Sequence, residues 1–248
     1  MERTKGLVIK QTDYGEGNRM LTLFTEDFGI IKATVYGVKK GKSRQSAATQ
    51  FLSWSEFMLY FGKGDVATIN SVTAVESFFP IQESFEKLSL CAYLAEITYA
   101  FQVQNMPNSS LLRLFLNTLY ALSYKDLTVE KAKAVFELRL ARDMGFMPVV
   151  NGCSACGDDG TPEYFSPECG GILCKNCHSV LRDDLPLSFD SYKALVYVLY
   201  AEEKKIFSFN VSDNVLKELS EISEKYFLSK AERTFASLDY LKKSNICK

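Results

Sequence analysis

Five of the chain's seven cysteines lie between Cys153 and Cys177. Four of them form two similar pairs, Cys153-Ser-Ala-Cys156 and Cys174-Lys-Asn-Cys177. Two intervening residues make a tight knuckle with both sulfurs on one side, so each pair can bite one metal ion. Two knuckles separated by 17 residues supply four thiolates, the donor set of a tetrahedral zinc site. Gly157 after the first pair and Gly170-Gly171 before the second allow the sharp turns this needs. Cys169 precedes what reads as a short hairpin turn and is taken as a bystander. His178 follows Cys177 directly, and its ring is expected to point away from the metal.

Four protein ligands close the coordination shell. Such a zinc has no open position for water, so its expected role is structural. A deaminase-type catalytic zinc needs His-x-Glu ahead of Pro-Cys-x-x-Cys, and the only histidine, His178, comes after the cysteines. With one histidine, Ser-His-Asp and Cys-His mechanisms lack an assembled base, and the chain is not expected to be an enzyme. Disulfides suit small secreted chains, whereas Met1-Glu2-Arg3-Thr4-Lys5 leads into an alternating segment and not a signal h-region. A reducing cytoplasm is the expected setting. Cys91 sits in an apolar helical run and reads as a small core residue.

A second chemistry is carried by charge. The chain's net charge is −1, but residues 1–64 hold ten Lys/Arg and six Asp/Glu, a net of +4. From Lys32 to Ser55 there are Lys32, Lys39, Lys40, Lys42 and Arg44 and no acid. A basic cluster on a mildly acidic protein points to a polyanion. Lys39 to Arg44 packs four cations into six positions among Gly and Ser, which lets them spread along phosphates. Arg19 either reaches a phosphate or pairs with Glu16. Tyr36 beside the basic loop is the candidate for stacking on a base. Alternation places Phe24, Phe57 and Phe61 in a core. Arg139 and Arg142 pair with Glu137 or Asp143, or extend a basic track.

These residues need a scaffold. Residues 5–80 read as five short strands: 7–9, 20–25, 30–38, 57–61 and 67–76, separated by Gly-rich turns. Strand number and size suit an OB-fold barrel, with an SH3-like barrel as the alternative. From Ser84 the apolar period becomes helical. Asn108, Thr128, Ser188 and Ser212 are expected N-caps of further helices, the last with residues 231–241 trailing after it. The fold class is thus α+β: a barrel over 1–80, a helical domain over 81–148, a metal-binding insertion over 149–180, and a second helical part over 181–248. At 47% hydrophobic and 24% charged the chain reads as globular, and no apolar run approaches the ~20 residues of a membrane span.

Taken together, several segments resemble the RecO family of bacterial recombination mediators. They are Tyr14-Gly15-Glu16-Gly17-Asn18-Arg19, Leu21 through Gly29, Tyr36-Gly37-Val38-Lys39-Lys40 and Lys42-Ser43-Arg44. They continue with Tyr93-Leu94-Ala95-Glu96, Phe136-Glu137-Leu138-Arg139-Leu140, Gly145-Phe146-Pro148 and the paired cysteines with Gly170-Gly171. The resemblance covers nearly the whole chain in the same order. It implies an N-terminal OB-fold, a helical domain and a zinc-binding insertion. It also implies binding to single- and double-stranded DNA and annealing of complementary strands. With RecR, such proteins load RecA onto DNA coated by single-strand-binding protein, and some contact that protein's acidic tail. The expected setting is then the cytoplasm, at the nucleoid. The competing reading is a zinc-stabilised interaction module that captures acidic peptides without touching DNA.

Overall fold

Alternation in the first 80 residues becomes a closed five-stranded barrel. The computed structural model describes residues 1–37, 44–179 and 181–246. The strands are β1 (Glu2–Tyr14), β2 (Asn18–Thr25), β3 (Gly29–Val35), β4 (Trp54–Tyr60) and β5 (Val66–Glu76). Their spatial order is β1-β2-β3-β5-β4, and β4 pairs back onto β1. Every pairing is antiparallel except β3 with β5. A parallel neighbour requires a crossover, and the segment between β3 and β4 carries α1 (Arg44–Ala48). This mixed order is that of an OB-type barrel and decides against the SH3-like alternative.

β1 is far longer than its apolar run of 7–9. Residues 2–7 pair with β4 and residues 6–14 with β2, so one strand serves two neighbours. Its outward residues are polar, which hides its length from an apolar reading. Val8, Leu21, Leu23, Ile31, Phe57, Leu59 and Ile69 fill the interior, together with Ala48 of α1. Burying each large one contributes about 1.5–3 kcal/mol. Ser53 and Ser55 donate to the carbonyls of Ala47 and Ala48 at 2.8 Å, which ties α1 down. Phe24 and Phe57 are buried as expected. Phe61 is not: it follows the end of β4, is 42% exposed, and lies 5.1 Å from Phe28, ring to ring.

The remaining elements are α2 (Phe79–Gln82), α3 (Phe85–Phe101), α4 (Ser109–Tyr124), α5 (Val129–Asp143), β6 (Tyr164–Ser166), β7 (Gly171–Leu173), β8 (Leu185–Pro186), α6 (Phe189–Tyr200), α7 (Asp213–Ala231) and α8 (Ala236–Ile246). The chain divides into two compact units. One holds the barrel, α2 to α4, and the C-terminal segment from Phe235. There Ser84 caps α3 by accepting from the Lys87 amide, and Phe235 packs its ring against Tyr93 and Phe101. Glu96 accepts the Ser237 amide at 3.1 Å and so holds the start of α8. Cys91 is fully buried in α3, where burial pushes its thiol up and leaves it unreactive.

The second unit runs from Lys125 to Thr234. Thr128, Ser188 and Ser212 cap α5, α6 and α7 through side-chain oxygens, as their types require. Between α5 and α7, Lys133 bridges Glu137 at 3.1 Å and Glu224 at 3.0 Å, while the Ser223 hydroxyl donates to Glu137 at 2.7 Å. Arg139 forms no basic track. It is buried and donates to the carbonyls of Leu199 and Ala201 at the end of α6. Arg142 joins it on Leu199 and pairs with Asp143. These cations satisfy the carbonyls that a helix C-terminus leaves open. α7 stops at Ala231 because Glu232 turns left-handed at φ 51, so α8 is a separate helix and not a trailing extension. No described helix is long and apolar enough to cross a membrane.

Candidate metal centre and nucleic-acid interface

Each knuckle is folded by its own backbone. The Gly157 amide donates to the Cys153 carbonyl at 2.8 Å, and the Cys177 amide to that of Cys174 at 3.1 Å. β6 and β7 form the hairpin that delivers Cys174. The Ser154 amide donates to Ile172 at 2.8 Å, which pins the first knuckle beside the second. Val149 and β7 exchange two further bonds across Gly170 and Ile172. A Cβ on Gly171 would lie 2.3 Å from the Val149 carbonyl oxygen, so only glycine lets these segments meet.

Cys153, Cys156, Cys174 and Cys177 consequently converge, with all four sulfurs within 4.8 Å of one another. Cys156 and Cys174 stand 3.8 Å apart. Corners about 2.3 Å from a tetrahedral centre are spaced by about 3.8 Å, whereas a disulfide needs about 2.0 Å. The donor set therefore fits a soft or borderline cation. Burial opposes charge on Cys153, but amides of Cys174, Cys156 and Ala155 aimed at its sulfur bring the thiol down to about 6. Cys177, hydrogen-bonded to the sulfurs of Cys156, Cys174 and Cys153, is pushed up to about 12. One thiolate forms readily and its neighbours then resist a second negative charge. A central cation removes that conflict, since coordinated thiols are deprotonated outright.

The spare donors have other employment. Cys169 packs against Cys153, Leu173 and Cys174 but stands outside the four-sulfur group. The His178 ring stacks on Tyr164, with centroids 3.8 Å apart and planes 5° from parallel, and its Nδ1 lies 3.4 Å from Asp184. Asp184 also pairs with Arg182 at 3.1 Å and accepts the Ser179 amide at 3.0 Å. Burial opposes its charge, yet Arg182, Ser166 and Ser179 outweigh that and hold its carboxyl at about 2. Among the described residues no other group of His, Cys, Asp and Glu is arranged to hold a metal.

The expected DNA-contacting residues scatter differently. Arg19 faces Asp13 across the β1–β2 pairing and binds it at 2.7 Å, so the carboxylate it pairs with is Asp13 and not Glu16. Its Nη1 also donates to Thr49 Oγ1 at 3.2 Å, which commits it to the joint between the barrel and the end of α1. Tyr36 leaves β3 and is 61% exposed. Lys39, Lys40 and Lys42 lie outside the described residues. Arg44 opens α1, and its side chain lies outside them too.

Lys32 stands in better-defined company. The register sets Lys10 beside Thr22 and Thr22 beside Lys32, so two lysines lie abreast across three strands. A bulge at Ile9 makes this possible: it shifts the register between Val8 and Lys10 and turns Lys10 to the outer face. Tyr14, Met20 and Tyr99 of α3 complete a cleft of about 320 Å³ whose lining holds no carboxylate. Among the described residues neither Lys10 nor Lys32 has an acidic partner. The sequence reading missed Lys10 and Tyr99. The alternation Lys10, Thr12, Tyr14 carries a signal for Lys10, but nothing local places Tyr99 beside it.

Two family profiles match the chain. Residues 1–78 match the one described as Recombination protein O N terminal, and residues 82–239 the one described as Recombination protein O C terminal. The chain is 38% identical over 241 residues to the DNA repair protein RecO of Acetivibrio thermocellus, covering 97% of this chain and 96% of that protein. It is 30% identical over 240 residues to the RecO of Pelotomaculum thermopropionicum, covering 96% and 93%. With the RecO of Alkaliphilus metalliredigens it shares 28% identity over 243 residues, covering 97% and 98%.

Proposed function

The chain belongs to the RecO family of DNA repair and recombination proteins, and we propose that it acts as a non-enzymatic mediator that binds single- and double-stranded DNA and anneals complementary strands. On this reading it works with RecR to help load RecA onto DNA coated by single-strand-binding protein, whose acidic tail it contacts, at the nucleoid in the cytoplasm. The observation that carries the reading is an OB-type barrel in a full-length RecO match, bearing two lysines abreast, without an acidic partner among the described residues, on a cleft whose lining holds no carboxylate. Cations on such a face neutralise phosphates and release counterions. Screening two strands at once lowers their repulsion, so annealing needs no catalytic group.

We further propose that Cys153, Cys156, Cys174 and Cys177 hold a structural zinc, which would supply cohesion to residues 149–180. A module of that size with two short strands has little core of its own and depends on metal for folding. The barrel over 1–80 and the helical parts over 81–148 and 181–248 would then be the functional divisions. Lys32, Tyr36, Lys39, Lys40, Lys42 and Arg44 are the proposed DNA contacts. Arg19 would act by bracing the barrel.

A fluorescence strand-annealing assay with and without single-strand-binding protein tests the function, alongside metal analysis of the purified chain. Accelerated annealing with one zinc per chain is the expected result. Binding of an acidic peptide with no binding of either DNA form would favour the peptide-capture module instead.

A further inference from the structure

We infer, on the DNA-binding reading above, that the cleft between β1, β2, β3 and α3 is a base-stacking pocket, which takes an unstacked base against Tyr14 and Tyr99 while Lys10 and Lys32 hold the adjoining phosphates. Both tyrosines line the same cleft, one from the end of β1 and one from α3. They are 38% and 39% exposed, so each ring is held by the protein yet open to a ligand. Tyr99 is fixed further by the Gln104 side-chain amide, which donates to its hydroxyl at 3.3 Å. Met20 adds a polarisable apolar surface to the lining, and Thr22 separates the two lysines in the register.

The dimensions and chemistry select one form of nucleic acid. A volume of about 320 Å³ is at the small end of ligand pockets, suited to a single nucleotide. Bases in a duplex present only their edges, whereas unpaired bases present whole faces to aromatic rings. Every base has such a face, so the pocket accepts any sequence. A purely electrostatic groove would need no rings, and an acidic-peptide groove would gain nothing from a base-sized slot. The two lysines alone would grip single strands and duplexes alike. The tyrosines are what make the site read strandedness.

The test compares an oligothymidylate with an abasic strand of equal length, and with a duplex, by fluorescence anisotropy at fixed salt. The wild-type protein is expected to bind the oligothymidylate about tenfold tighter than the abasic strand, as base stacking on a ring supplies. Tyr14→Leu and Tyr99→Leu should each shrink that preference and leave abasic and duplex affinities unchanged. Tyr14→Phe and Tyr99→Phe keep the rings and should keep the preference, which separates stacking from a folding defect. Equal wild-type affinity for the two strands overturns the pocket while leaving DNA binding intact. So does a preference that survives both leucine variants. Failure of the wild-type protein to bind any of the three overturns the DNA-binding reading itself.

Discussion

The metal module and the barrel's outer cleft gather their side chains in opposite ways. In the module, two knuckles of four residues each bring sulfurs together, and a hairpin with one obligatory glycine aligns them. In the cleft, side chains from positions 10, 14, 20, 22, 32 and 99 meet only because three strands and a helix are in register. The first site is local, and on the zinc reading a cation completes its order. The second is non-local and inherits its order from a hydrophobic interior built for other reasons. Damage to the scaffold should therefore erase the cleft, and damage to the ligands should erase the module, with little exchange between the two.

On the zinc reading, removing the metal is the severest way to break that separation. Chelation, or Cys174→Ser, should cost most of the apparent zinc-binding free energy, about 10 kcal/mol or more at neutral pH, and unfold residues 149–180. Hydrogen exchange is the measurement, with metal content as its companion. Loss of amide protection in the module beside preserved protection in β1 to β5 is expected. Protection lost equally from both regions would abolish the contrast.

The reciprocal lesion lies in the barrel. Phe57 is fully buried against the interior of β1 and β5, and Phe57→Ala should destabilise the barrel by about 3–5 kcal/mol. Denaturant unfolding reads this directly. Zinc content should stay at one per chain, because nothing in either knuckle is formed by Phe57.

How far each site was legible in the sequence follows from the same contrast. Cys-x2-Cys states its geometry within four residues, so the ligand set could be written down without knowing the fold around it. Caps at Asn108, Thr128, Ser188 and Ser212 were legible for the same reason: a side chain bonding an amide three residues on is local chemistry. The strand count was legible from alternation, but β1 was underestimated because its outer half is polar. The bulge at Ile9 has no local signature, so alternation groups Lys10 with Thr12 and Tyr14 without saying that this face lies outside the apolar run of 7–9. Arg19 misled because its partner, Asp13, is opposite it only once the hairpin closes. Arg139 misled likewise, since the carbonyls it serves lie at Leu199 and Ala201.

A subtler lesion sharpens the module's side of the comparison by separating metal from protein clasp. Asp184 gathers Arg182 and the Ser179 amide with no sulfur involved. Asp184→Asn should cost about 1–3 kcal/mol at neutral pH by weakening charge-assisted bonds. The wild-type carboxyl is held at about 2, below the ordinary value of about 3.9. Its contribution is thus complete above about pH 4 and disappears as pH falls toward 2. Acid also strips metal from thiolates, but it does so in both proteins. The difference between their unfolding free energies isolates Asp184, and it should close across that acid window. A difference that stays constant from pH 7 down to about pH 2 would assign the clasp to packing and not to charge.

The smallest effect discriminates best between cations that touch phosphate and cations that merely sit nearby. Each phosphate neutralised on a single strand contributes about 0.7 to the slope of log affinity against log salt. Lys10→Ala with Lys32→Ala should therefore flatten the slope by about 1.4, and alanine at Lys39, Lys40, Lys42 and Arg44 together by about 2.8. Arg19→Ala belongs to neither set, because its guanidinium is already bound by Asp13 and Thr49. It should lower stability at the joint of the barrel with α1 and leave the slope as it was. If Arg19→Ala flattened the slope as much as the two cleft lysines do, Asp13 would have to release it on DNA binding. The outer face would then be a surface rearranged by its ligand, and the difference from the locally folded knuckles would be one of timing as well as of construction.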